Sequence, residues 1–225
     1  MDGSAHRPVL GTLPRPQRRP ARRLSRVAGS APFAGPRGRR FALALLYLSE
    51  GAPIGYLWWA LPTKLRAAGL PVEQVAALSA ILTIPWTFKF LWAPLVDVFR
   101  SRRHGVKPWI VGAQALMAAT IAPLAFLDLI ADYDVIVAML LAHAFFAATQ
   151  DAAIDALAVR TVSASERGQA TGWMQTGMLT GRAVFGGASL VLERTIGAAG
   201  VVAMLVATIL CTSGVVLMLD DSGPQ

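Results

Sequence analysis

"VIVAMLLAHAFFAATQDAAIDALAVR" occupies residues 135–160. Its first half is an almost unbroken apolar run, yet its second half carries Asp151 and Asp155 four residues apart. About 20 apolar residues suffice for a helix to cross the hydrocarbon core, so the run predicts a transmembrane helix. A carboxylate buried at the centre of a bilayer costs at least about 2.5–3.5 kcal/mol. A span with two of them needs a cavity or a cationic partner, because lipid satisfies neither. At helical spacing the two aspartates lie one turn apart on the same face, with Asp155 nearer Arg160.

The rest of the chain has the same character. Its 225 residues are 55% hydrophobic and 15% charged, with a mean hydropathy of +0.52, which is too apolar for an ordinary soluble domain. Six segments are long enough to span: 41–62, 74–96, 108–130, 135–158, 170–192 and 198–219. Short loops join them, so six consecutive buried helices of a soluble protein would have no polar faces to meet water. A transmembrane barrel would need strictly alternating strands of about ten residues. The pattern predicts an all-α integral membrane protein with a six-helix domain over 41–219, a basic tail over 1–40 and a short tail over 220–225.

Ten of the 21 Lys and Arg residues fall within residues 1–40, in a Pro- and Gly-rich context with no apolar periodicity. That composition predicts disorder. The net charge of +8 therefore belongs to a tail and to loops, and membrane lipid is its expected partner rather than nucleic acid. Placing the tail inside puts Arg100, Arg102, Arg103, Lys107, Arg160 and Arg167 on the same side. The other side keeps Lys64, Arg66 and Arg194 beside Asp128, Asp132 and Asp134. The positive-inside rule then makes both termini cytoplasmic. An organellar transit peptide is the alternative reading of the same tail. Cys211 is the only cysteine, and no metal-ligand spacing, P-loop or nucleophile elbow is present. No cofactor, no metal and no enzymatic activity are expected.

Charges inside the spans carry the functional signal. They are Glu50 in the first, Lys89 in the second, Asp151 and Asp155 in the fourth and Arg182 in the fifth. Counting about 1.5 Å per residue from the nearest cytoplasmic flank puts Glu50, Lys89, Asp151 and Arg182 roughly 12–18 Å deep, in one layer. Read in threes, the helices run acid, base, neutral and again acid, base, neutral. A 3+3 inverted repeat is the economical explanation, with helices one, two, four and five meeting on a polar face and helices three and six outermost. Pro53, with Gly51 and Gly55, is expected to loosen the turn around Glu50, and Pro85 the turn before Lys89. Gly177 and Gly181 form a GxxxG pair that predicts close helix packing. His143 reads as a packing residue, and Trp58, Trp59, Trp92, Trp109 and Trp173 as interfacial anchors.

Four stretches together resemble a known family: "LYLSEGAPIGYLWWALPTKLRAAGL" (46–70), "PWTFKFLWAPLVD" (85–97), "ATQDAAIDALAVR" (148–160) and "ERGQATG" (166–172). They look like the AmpG-type muropeptide permeases of the major facilitator superfamily, over the N-terminal half of that fold. "APLVDVFRSRR" (93–103) resembles the superfamily's loop between helices two and three, with Asp97, Arg102 and Arg103 as a gating loop. It departs from the usual pattern at Val98 and Arg100. The resemblance implies a proton-driven importer of anhydro-muropeptides in the bacterial inner membrane; an acetyl-coenzyme A transporter of the wider family is the alternative substrate reading. Such transporters have two halves, so the expected partner is a missing C-terminal half or a second copy of the chain. On that reading Asp151 takes the proton, with Glu50 as the alternative, and Asp155 releases it. Lys89 and Arg182 are the ion partners, and Gln150 and Gln175 are candidate donors to a small-molecule substrate. The competing class is a non-transporting assembly or regulatory protein in which these charges only pair helices.

Overall fold

The computed structural model describes residues 33, 35–101 and 104–219. Gly35, at φ 94°, turns the chain into α1 (Pro36–Gly55). Pro36 opens the helix, where its missing N–H has no intrahelical acceptor to lose. α1 runs through a π-helical turn (Tyr56–Ala60) into α2 (Leu61–Ala67), making one rod over 36–67. Gly69, at φ 100°, ends it by letting the Leu70 N–H turn back to the Leu65 carbonyl at 3.0 Å.

α3 (Val72–Phe88) contains Pro85, whose ring removes one ladder bond. The helix then tightens into a 3₁₀ turn (Lys89–Leu91) before α4 (Ala93–Val98), so Lys89 sits on the irregular turn. α5 (Lys107–Ile121) closes in a 3₁₀ turn (Ala122–Ala125), and α6 (Tyr133–Thr161) follows. Between them Asp128 accepts the backbone N–H groups of Ala131 (2.8 Å) and Ile130 (2.9 Å), and Asp132 accepts that of Asp128 (2.8 Å). The Ala131 and Ile130 N–H groups hold the exposed Asp128 carboxyl below its ordinary range. These acids build a turn as well as setting charge.

A 3₁₀ turn (Ala164–Glu166) leads into α7 (Arg167–Ala183), a second π-helical turn (Val184–Ala188) and α8 (Ser189–Met218). Gly197 breaks α8 with φ 74° and ψ 169°, separating rods over 167–196 and 198–218. Among the described residues four stretches are long and apolar enough to cross a membrane: Val72–Leu91, Lys107–Ala125, Tyr133–Thr161 and Ala164–Met218, the last containing the Gly197 break. The described residues form helices and connecting turns, in the pattern of a multi-pass membrane protein.

Helix ends differ from the apolar segments for identifiable reasons. The first rod covers 36–67 rather than 41–62 because Arg37, Arg39, Arg40, Lys64 and Arg66 continue the helix beyond its apolar part. Residues 36–40, expected within the tail, are therefore helical. The third stops at Ala125 rather than 130, where Pro123 and the Asp128 turn intervene. The expected tails over 1–32 and 220–225 lie outside the described residues.

α1 packs most extensively on α7, α3 on α6, and α5 on both α6 and α8. The α1–α7 contact is a line of glycines. A Cβ on Gly181 would lie 2.5 Å from the Leu48 carbonyl oxygen, and one on Gly55 2.6 Å from that of Arg182. On Gly51 and Gly177 it would run into the carbonyls of Met178 and Ala44. Gly51 and Gly55 thus serve close packing, whereas the sequence suggested only a loosened turn. Two apolar cores result, one around Leu57, Leu78, Met117, Leu140 and Leu205 and the other around Leu43, Leu46, Ile110, Ile154 and Val216. Between them lie the buried polar residues Ser49, Glu50, Gln114, Gln150, Asp151 and Thr212.

Candidate functional site

α1 supplies Tyr47, Ser49 and Glu50 to this polar layer, α6 supplies Gln150, Asp151 and Asp155, and the 3₁₀ turn after Pro85 supplies Lys89. Lys89 Nζ donates to Asp151 Oδ2 in an ion pair whose side chains are 35% and 10% exposed. Glu50 is 2% exposed, lies next to Asp151, and its Oε2 has no hydrogen-bond partner. One turn toward the Arg160 end, the Tyr47 hydroxyl donates to Asp155 Oδ1. The layer sets three carboxyl groups against one ammonium.

A second network lies behind the acids. Gln150 Nε2 donates to Ser49 Oγ (3.2 Å), whose own hydroxyl donates to the Leu46 carbonyl (2.7 Å). Gln114 Nε2 donates to Thr212 Oγ1 (3.0 Å) and approaches Ser49 Oγ (3.4 Å), and Ser213 donates to Gln114 Oε1 (2.6 Å). Ser49 and Gln150, which precede Glu50 and Asp151, are therefore tied into one knot that joins α1, α5, α6 and α8.

Two cavities flank the layer. One of about 420 Å³ is lined by Ile54, Trp58, Trp59, Thr83, Trp86 and Arg182. The other, of about 280 Å³, is lined by Asp155, Arg167, Thr171 and Met174 among others. Asp155 thus connects the layer to the second cavity.

The structure brings Glu50, Lys89 and Asp151 together, with Asp155 one turn away. Arg182 stands apart. Its carbonyl abuts Gly55, five residues or about 7.5 Å along the helix from Glu50, and no ion pair reaches it among the described residues. Depth counted along its own helix puts it level with the acids; the α1–α7 register sets its actual level. Gln150 is fully buried and bonded to Ser49, so it does not face an open cavity, whereas Gln175 is exposed on α7. Asp97 is exposed near the end of α4, with no ion pair among the described residues, and Arg102 and Arg103 lie outside those residues.

Trp58 and Trp59, expected as interfacial anchors, line the larger cavity. The longer first rod explains this, since its end lies eight residues beyond Trp59, about 12 Å. Trp92 donates to Thr149 (3.1 Å) and packs on Phe145. His143 bonds to the Met117 carbonyl (3.1 Å), in keeping with packing. Tyr47, Ser49, Gln114 and Thr212 were not singled out from the sequence. Their signal was the run of hydroxyl and amide groups inside apolar spans, two of them beside or near the acids.

Residues 41–225 match the Major Facilitator Superfamily, and the chain belongs to that superfamily. Within it, the chain is similar to proteins of the AmpG type. It is 28% identical to the anhydromuropeptide permease of Escherichia coli (strain K12) over 156 residues, 68% of this chain and 31% of the permease. It is 23% identical to putative transporter AmpG 4 of Rickettsia felis over 163 residues, 71% of this chain and 39% of that protein. The match thus spans between about a third and two-fifths of these relatives' own length.

Proposed function

We propose that this chain is one half-unit of a proton-driven secondary transporter of the inner membrane. It works with a second unit, either a further half or another copy of itself, to import anhydro-muropeptides or a related sugar-peptide. The observation that carries the proposal is the polar layer: a buried, incompletely bonded Glu50 beside the Lys89–Asp151 pair, with Asp155 leading to a cavity. Three carboxyl groups facing one ammonium leave up to two excess negative charges, which proton uptake reduces. A proton arriving at Asp151, or alternatively at Glu50, neutralises the acid and frees Lys89. Lys89 then re-pairs with a remaining carboxylate, the unit changes face, and Asp155 passes the proton to the inner cavity with Tyr47 as its bonded partner.

The 3+3 inverted repeat belongs to the same reading. If the first three rods are laid on the last three, the α1–α7 contact maps onto α6–α3, and α1–α8 maps onto α6–α5. The contacts α1–α6 and α5–α8 map onto themselves. That correspondence supports a two-fold relation, as does the acid–base order of the sequence. The Arg-rich tail and loops support cytoplasmic termini.

The test uses the protein as its own cells make it, reconstituted in proteoliposomes with an imposed proton gradient and labelled anhydro-muropeptide. Asp151→Asn should retain solute exchange and lose accumulation. If Asp151→Asn accumulates normally and Glu50→Gln loses accumulation, the coupling carboxylate is Glu50. If both accumulate like the wild type, proton coupling through this layer is refuted.

A further inference from the structure

We propose that the cavity at Arg182 is a carboxylate-binding subsite with aromatic walls, which holds a ring-bearing solute by its carboxylate. The inference rests on the transport reading and names the chemistry that the solute presents to this unit. Arg182 contributes a guanidinium to a cavity of about 420 Å³, within the usual size range of small-molecule sites, roughly 300–1,000 Å³. Its Nε is buried with no hydrogen-bond partner, and the chain supplies it with no ion pair among the described residues. An uncompensated cation inside a helical membrane domain is costly. The nearby acids do not meet the need: Asp151 is bonded to Lys89 and Asp155 to Tyr47, while Glu50 lies about 7.5 Å away along the rod. No described residue supplies the complement, and a ligand carboxylate would.

The walls define the rest of the ligand. Arg182 Cζ stands 6.0 Å from the centre of the Trp59 ring, and Trp58 meets Trp86 edge-on at 5.5 Å and 83°. Indole faces of this kind take the flat apolar face of an aromatic or pyranose ring, while a guanidinium fork matches a carboxylate with two parallel bonds. Among the described residues Arg182 is the one cation lining the cavity, which suits a singly charged carboxylate better than a dianionic phosphate. Thr83 donates its hydroxyl to the Ser79 carbonyl at 3.0 Å, so its oxygen is left to accept from a ligand hydroxyl or amide.

The backbone supplies an independent argument. Trp58 and Trp59 lie within the first π-helical turn, and Arg182 lies two residues before the second. The two turns pack against each other. Such turns insert a residue into an α-helix, re-aim the side chains beside it and concentrate at functional sites. Here Gly55 lets α1 touch the Arg182 backbone, and the side chains on either side of that contact line the open cavity.

The purified chain in detergent, titrated by tryptophan fluorescence and calorimetry, tests the assignment with two probes that share a pyranose ring. N-acetylmuramic acid carries a lactyl carboxylate and N-acetylglucosamine does not. The expected result is saturable binding of both, about tenfold or more tighter for the acid, as a charge-assisted pair supplies. Arg182→Gln should abolish that preference and Arg182→Lys should keep part of it. Trp86→Ala should weaken both sugars and leave the preference intact. Because Arg182 Nε has no internal partner, Arg182→Gln is expected to fold; if it does not, Arg182→Lys and Trp86→Ala carry the comparison. Equal binding of the two sugars, binding of neither, or a preference that survives Arg182→Gln overturns the subsite. Carboxylate-selective binding by a protein that never accumulates solute would refute the transport reading alone, and accumulation without selective binding would refute only this one.

Discussion

Gly177→Ala should destabilise the chain by about 2 kcal/mol, and the structure gives the reason. A methyl at this position runs into the Ala44 carbonyl oxygen, with the Ala44 carbonyl carbon at 2.7 Å and Cα at 3.0 Å. These are backbone atoms of α1, so no flexible side chain can yield. To reach ordinary contact distances α7 must move away from α1 by on the order of 1 Å, loosening Gly51, Gly55 and Gly181 along the same line. Overpacking of a well-filled interior costs about 1–3 kcal/mol, and a backbone obstruction belongs at the upper end. Alanine's better helix propensity returns up to about 1 kcal/mol. Gly172, on the same helix, is the control, because nothing lies within 4 Å of its added Cβ; Gly172→Ala should be neutral or stabilising by up to about 1 kcal/mol. Unfolding of both variants by SDS titration in mixed micelles measures the difference. Equal midpoints would refute the glycine-line account of α1–α7 packing.

Lys89→Met strips Asp151 of its partner; discounted for the one-third exposure of Lys89, it should cost about 1–3 kcal/mol in the same titration. Lys89→Met combined with Asp151→Leu should recover most of that loss, and no recovery would mean the pair is not what Lys89 stabilises. Asp97→Asn tests the gating proposal for the loop after α4: it should shift the inward and outward populations measured by spin-label distances, and unchanged populations reject a gating role. The Asp128 turn should depend on acid. Because the folded carboxyl is held below its ordinary range, the turn's contribution is complete above the unfolded value and is lost as pH falls through the lowered folded one. Hydrogen exchange at Ile130 and Ala131 should therefore lose protection only in strong acid, and protection retained in Asp128→Ala would contradict the assignment.

The helices and their order were legible because apolar runs report directly on the thickness that a helix must cross. Where helices end was less legible: Arg37 to Arg40 and Lys64 to Arg66 are helical although they read as flanks. Lys89 and Asp151 could be singled out as ionisable residues in apolar context, and their pairing required only that both lie near the same depth. The separation of Arg182 from the acids could not be read, since depth counted along one helix says nothing of its register against a neighbour. That register is fixed by Gly51, Gly55, Gly177 and Gly181, of which only the last two were recognised as packing positions. The bond from Gln150 to Ser49 could not be read from the sequence for a related reason. A polar side chain in a span has two possible faces, and here Ser49 occupies the inner one.

The two hydrogen-bonded systems around the acids differ in a way that constrains how the layer can operate. Ser49 and Gln150, each preceding an acid, are tied through Gln114 to Thr212 by buried bonds and to Ser213 by a part-buried one. Breaking such a network leaves buried donors and acceptors unpaired, each costing about 1–3 kcal/mol, so the backbones that carry Glu50 and Asp151 are held at a fixed spacing. The acids' own side chains are less constrained: Glu50 Oε2 is unpaired, and Lys89 stands on an irregular turn with a third of its side chain exposed. Partner exchange among Lys89, Asp151, Glu50 and Asp155 therefore needs only side-chain movement over a rigid base. On the transport reading proposed above, a change of access driven by that exchange would occur between this unit and a second one, because the network resists relative motion of α1, α5, α6 and α8. The glycine line imposes the same stiffness on α1 and α7. Rigid-body rocking of the whole unit against a partner is the motion that this distribution of bonds favours.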